Sequence, residues 1–231
     1  MNFPAQHLRA VLFDMDGVLF DSMPGHAHSW HKIVQDFHLE ISEEEAYMHE
    51  GRTGASTITL LAERSWHRKP TAEEIERIYA AKCKEFNSLP PAPRMPGAEA
   101  LLQQVQAAGK KILVVTGSGQ ASLLERLGSN YPGFFQPEFI VSSKDVRHGK
   151  PSPEPYLIGL EKAGVRADEA VVVENAPLGI QSAVAAGIFT IAVNTGPLPP
   201  EMLKEAGAHL VFPSMQALAD GWQALFRAEQ L

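Results

Sequence analysis

The chain has 231 residues with a formal net charge of −7, and it is 45% hydrophobic and 20% charged. That is the composition of a globular protein with a sizeable core, and without a Lys/Arg-rich run it has no electrostatic footprint for nucleic acid or an anionic membrane. Cys83 is the one cysteine, so no intrachain disulfide forms; no run reads as a signal peptide or bilayer span, which makes the cytoplasm and a monomer the defaults. An acidic chain that binds an anion must gather positive charge locally, on a metal ion and a few side chains.

In chain order, an unbroken apolar run at 10–13 reads as a strand buried on both faces, the kind found in parallel sheets. From 23 to 89 the pattern is helical only. Thr71 with Glu74 forms a capping box ahead of Ile75, Ile78, Tyr79, Cys83 and Phe86, and Ser42 with Glu45 repeats the device. Trp30, Trp66 and Phe86 read as the core of this insert. A segment with four prolines, 89–96, leads back as a rigid linker. Leu101, Val105 and Ala108 recur at helical spacing and stop at Gly109. Further strands are expected at 112–115, 139–141, 170–173, 190–193 and 210–212, with helices at 156–163 and 176–186 between them. The alternation predicts an α/β class, a doubly wound, Rossmann-like parallel sheet core of residues 1–22 and 90–231, with a small all-helical cap, 23–89, inserted after the first strand.

Chemistry-bearing residues cluster at the strand ends, where open parallel sheets bind ligands. Asp14 and Asp16 leave the first strand two residues apart; if the chain stays extended they point the same way and repel unless a cation lies between them. A hard divalent cation, Mg2+, suits such oxygen ligands. After the second strand, Thr116, Gly117, Ser118 and Gly119 offer hydroxyls and backbone N–H groups as a phosphate cradle. A dinucleotide fingerprint is set aside, because position 122 is Ser and the first strand would normally carry it. Lys150 follows the third strand, where it can neutralise a phosphoryl oxygen and keep a carboxylate ionised. Glu174 and Asn175 end the fourth and supply two more oxygen ligands. Each piece alone is a common turn or cap; all four at successive strand ends converge on one place.

The ordered set Asp14-x-Asp16-Gly17, Thr116-Gly117-Ser118, Lys150-Pro151 and Glu174-Asn175 resembles the haloacid dehalogenase superfamily of phosphotransferases, and the helical insert resembles the cap of its β-phosphoglucomutase-like branch. The resemblance implies that Asp14 is the nucleophile and a Mg2+ ligand, and that Asp16 is the general acid/base with its backbone carbonyl on the metal. It further implies that Thr116, the Gly117 N–H and Lys150 hold the phosphoryl group, while Glu174 and Asn175 complete the metal site. His26, one turn into the cap, stands where this branch has a histidine near the acid/base. Asn175 departs from the pattern, since the branch usually has a second carboxylate there.

The loop His49-Glu50-Gly51-Arg52-Thr53-Gly54 is expected to close over the site. Arg52 suits an anionic leaving group. Glu50 opposes a phosphate unless it binds a sugar hydroxyl or reaches the metal, and the charge missing at Asn175 favours the metal. A cap closed that far leaves room for a small substrate. The same loop resembles that of a subgroup described as inorganic pyrophosphatases. The expectation is therefore hydrolysis of pyrophosphate, with sugar-phosphate hydrolysis or a β-phosphoglucomutase-type transfer as the alternatives.

Overall fold

The computed structural model describes residues 2–119 and 123–227. Position 122 and the expected helix start beside it lie outside these residues. The strands are β1 (Ala10–Phe13), β2 (Lys111–Val115), β3 (Ile140–Val141), β4 (Ala170–Glu174), β5 (Phe189–Val193) and β6 (Leu210–Phe212). They form one parallel sheet in the order β3-β2-β1-β4-β5-β6. The helices are α1 (Met23–Gln35), α2 (Glu43–Met48), α3 (Gly54–Trp66), α4 (Ala72–Ser88), α5 (Ala98–Ala107), α6 (Leu123–Asn130), α7 (Glu154–Ala163), α8 (Pro177–Ala185), α9 (Pro200–Glu205) and α10 (Met215–Leu225).

Alternate strand residues feed two cores, because successive side chains point to opposite faces. Val11, Phe13, Val114, Val171 and Val173 pack with Leu101 and Val105 of α5 and with Leu218 and Trp222 of α10. Leu12, Leu113, Val115 and Val172 face the other way, against Tyr156 and Leu160 of α7 and Ala183 of α8. Both faces are covered, which is why these strands read as unbroken apolar runs. The order reverses at β1, so chain segments diverge from its carboxyl end and leave a crevice there. Among the described residues, no helix is long and apolar enough to cross a membrane.

Helices α1–α4 pack around their own cluster of Ala27, Val34, Leu39, Ile58, Leu61 and Ile78, with Trp30 and Trp66 against it. Both chain crossings to these helices run side by side. Met95 N–H donates to Leu19 O at 2.8 Å and Asp21 N–H to Pro93 O at 3.0 Å, flanking an antiparallel bridge between Phe20 and Arg94.

Three local expectations are corrected. The third strand starts at Ile140, because Pro137 opens a single 3-10 turn in which Phe139 N–H bonds Gln136 O. The Thr71–Glu74 capping box forms in full, but Ser42–Glu45 is half a box. Ser42 Oγ accepts from Glu45 N–H, whereas the Glu45 carboxylate is taken by Arg64 at 2.5 Å and faces His49 at 3.2 Å. Phe86 stacks on His26, centroids 4.1 Å apart, instead of joining the insert's apolar cluster.

Candidate active site

The sheet brings the strand-end residues to one place. β1 ends at Phe13, and Asp14 still pairs with β4 through its N–H on Val173 O at 3.0 Å. The chain then turns back on itself, with Gly17 at φ +84° and its N–H on Phe20 O at 2.7 Å. A Cβ on Gly17 would stand 2.0 Å from Asn175 Nδ2, so both the conformation and the space require glycine.

Lys150 is the electrostatic centre. Its ammonium donates to Asp14 Oδ1 at 2.5 Å, Glu174 Oε1 at 2.6 Å and Val115 O at 3.0 Å, and all three charged residues are buried. Burial works against the ammonium, but Asp14 and then Glu174 outweigh it and hold the Lys150 pKa well above its ordinary value. Burial, with Glu174 and Asp16 adding repulsion, pushes the Asp14 carboxyl up against the pull of Lys150. The paired ammonium is the cation that opposes this upward push on the buried Asp14 carboxyl.

Glu174 faces Lys150 with one oxygen and the backbone with the other. Oε1 also accepts from Tyr156 Oη at 2.9 Å, and Oε2 accepts from the N–H groups of Asn175 at 2.9 Å and Ala176 at 3.2 Å. A Cβ on Gly179 would stand 1.7 Å from Oε1, so α8 can lie this close only with glycine there. Asn175 turns its Nδ2 to Glu50, 3.0 and 3.1 Å from the two carboxylate oxygens. Glu50, carried by the loop after α2, thus reaches the strand ends beside Asn175. Burial and the nearby Asp14 raise its pKa well above the usual carboxylate range, with the Asn175 hydrogen bond opposing.

The Asn175 Oδ1 atom is buried without a hydrogen-bond partner. An orphaned amide oxygen beside a cluster of carboxylates fits a hard cation. Asp14, Asn175 and the Asp16 backbone carbonyl would hold it. Glu174, whose oxygens already accept four hydrogen bonds, would act from behind through Lys150. Among the described residues, no three His, Cys, Asp or Glu side chains are arranged to hold a metal by themselves.

Asp16 receives donors on one oxygen. Ser22 Oγ donates to Oδ1 at 2.5 Å, and His26 Nε2 faces the same atom at 3.2 Å without the alignment of a hydrogen bond. Burial would raise the Asp16 pKa, but His26, Ser22 and Arg126 outweigh it and hold it well below the usual range. His26 Nδ1 lies 2.6 Å from Lys82 Nζ, whose ammonium has no acceptor to offer. Neutral His26 therefore carries its proton on Nε2, toward Asp16. Burial lowers the pKa of His26 and brings that of Lys82 down to about 8.

Thr116 Oγ1 accepts from Ser118 N–H at 3.0 Å, and Gly117 lies under the inserted loop, where a Cβ would be 2.7 Å from Gly51 O. Arg52 bonds Ser56 at 3.3 Å through Nη1, while its Nε is buried without a partner and the side chain lines the pocket. The pocket is walled by Asp14, Asp16, Glu50, Arg52, Thr116 and Gly117, among others, and its volume is about 70 Å3.

Every residue expected at the site is thus brought to this crevice. Ser22, Lys82, Tyr156 and Arg126 were missed. Lys82 had a signal: it sits four residues from both Ile78 and Phe86, on the apolar face of α4, where a lysine needs a partner. Tyr156 and Arg126 have none, since each meets the site through helices far away in the chain.

A family model described as haloacid dehalogenase-like hydrolase matches residues 11–193. The chain belongs to that family. Among its relatives, Hexitol phosphatase A of Escherichia coli (strain K12) is 33% identical over 80% of this chain and 83% of its own length. The Phosphorylated carbohydrates phosphatase of Thermotoga maritima is 28% identical over 87% and 92%. A solved Bacteroides vulgatus protein, named as a candidate β-phosphoglucomutase, is 56% identical with a TM-score of 0.93, covering 97% of this chain and 91% of the other. None of these three is named for pyrophosphate, so the expected pyrophosphatase subgroup finds no support in them.

Proposed function

We infer that the chain is a Mg2+-dependent phosphohydrolase that works through an aspartyl-phosphate intermediate, with helices α1–α4 as its cap. The observation that supports this most is the Lys150 ammonium between Asp14 and Glu174, under the Thr116–Gly117 cradle. Lys150 occupies Asp14 Oδ1, which leaves Oδ2 to attack phosphorus. Thr116, the Gly117 N–H and Lys150 offset the charge of the phosphoryl oxygens. The negative charge of an arriving phosphate favours the protonated form of Asp16, which gives that proton to the leaving oxygen and then takes one from water, while the aspartyl phosphate splits one hard displacement into two easier ones. Bound Mg2+ would neutralise charge between the nucleophile and the phosphoryl group.

The relatives' names support a phosphorylated carbohydrate as the substrate, and support it better than pyrophosphate. A second reading is kept on one feature of this pocket. Its volume of about 70 Å3 is far below the several hundred Å3 that pockets for larger ligands provide. That favours pyrophosphate, with Arg52 on the departing phosphate.

Phosphate release is measured with Mg2+ from hexitol phosphates, glucose phosphates and pyrophosphate, on wild type and Glu50→Ala, with a chelator control. A sugar or hexitol phosphate leading tenfold in kcat/KM, about 1.4 kcal/mol, establishes the carbohydrate reading. Pyrophosphate leading, with the lead lost in Glu50→Ala, establishes the second. No release from any substrate, or release unaffected by chelation, refutes the phosphohydrolase assignment.

A further inference from the structure

Asp16 is approached by donors from three directions, and only two belong to the cap or its hinge. Ser22 lies just before α1, and His26 lies on it. The third is Arg126 on core helix α6, which follows the phosphate cradle. Its Nη1 stands 4.0 Å from Asp16 Oδ1, the same oxygen that Ser22 and His26 address. The guanidinium is seated on the Phe20 ring, with Cζ 4.0 Å from the centroid. Phe20 is backbone-bridged to Asp16, so platform and target share one turn. The Nη2 atom is buried without a hydrogen-bond partner. A guanidinium partly withdrawn from water and left with one buried donor unpaired is costly unless its charge is used nearby.

We propose that Arg126 is a positioning residue for Asp16, a core-side anchor that fixes Oδ1 and presents Oδ2 to the leaving oxygen. The proposal rests on the acid/base role of Asp16 given above. In the step concerned, the Asp14–phosphorus bond forms, the bond to the leaving oxygen breaks, and its electron pair takes the proton from Asp16. Being part of the core, Arg126 stays with Asp16 whatever the cap does.

Leaving-group dependence separates positioning from a general structural role. 4-Nitrophenolate departs at neutral pH without a proton, whereas an alkoxide needs one. kcat/KM, which reports steps up to the first irreversible one, is measured for glucose 6-phosphate and 4-nitrophenyl phosphate on wild type, Arg126→Gln and Arg126→Lys. Thermal melting followed by circular dichroism checks the fold. The expected result for Arg126→Gln is a loss on the alkyl ester at least tenfold greater than on the aryl ester, with Arg126→Lys between it and wild type. Equal losses on both esters, or no loss, overturn the proposal even where the variants melt early, because the ratio cancels the folded fraction. A wild type inactive on both esters and on pyrophosphate refutes the phosphohydrolase reading instead.

Discussion

Replacing Lys150 by methionine keeps an unbranched side chain, one atom shorter, and removes the charge between Asp14 and Glu174. Lys150 lies 2.5 Å from one carboxylate and 2.6 Å from the other, and it is 2% exposed. Breaking a buried pair by removing one partner costs about 3–5 kcal/mol. The variant can escape by protonating a carboxyl, which at pH 7 costs about 4 kcal/mol for a group with a pKa near 4 and about 1.4 kcal/mol less for each pH unit below that. The expected loss is therefore about 3–4 kcal/mol at pH 7 and about 2 kcal/mol at pH 5.5. The sign follows from linkage: the variant raises a folded-state carboxyl pKa above its unfolded value, so the associated stability is present at low pH and lost as pH rises. Urea unfolding of wild type and variant at both pH values, with a chelator present, measures it. A loss below about 1 kcal/mol at pH 7, or one equal at the two pH values, would mean that Lys150 does not balance this cluster.

Gly117→Ala adds a Cβ 2.7 Å from Gly51 O and 2.9 Å from Arg52 O, both backbone atoms that cannot swing aside. It should hold the cap loop off the cradle and lower kcat at least tenfold with little change in the unfolding midpoint; an unchanged kcat would show that this close approach is dispensable. Thr71→Ala removes the side chain that caps α4 at Glu74 N–H. Urea unfolding should show a loss of about 1 kcal/mol with activity nearly retained, and no loss would remove the cap's assigned role.

The strands were legible because burial on both faces demands unbroken apolar runs, and the strand-end carboxylates and Lys150 because a parallel sheet gathers its carboxyl ends. Glu45 was misread because Arg64, on the next helix, outcompetes the local cap for its carboxylate. Phe86 was misread because its spacing marks the buried face of α4, not whether the ring packs into the cluster with Ile58 and Leu61 or onto His26. The Lys82–His26–Asp16 sequence of contacts depends on how α4 lies across α1, which periodicity does not encode. Arg126 looks like any exposed helix residue until Phe20 is placed beneath it.

The two crossings to the cap are bonded to each other, Asp21 to Pro93 and Leu19 to Met95. Entry and exit therefore occupy one spot on the core, and the sheet never depends on what is hung there. Cut at that spot and rejoined by a short turn, the core would keep its strand order and the Asp14–Lys150–Glu174 cluster. The helices are in this sense an exchangeable module: transplanting another set onto the same tether would keep that core cluster while replacing Glu50 and Arg52 in the pocket wall and His26 beside Asp16.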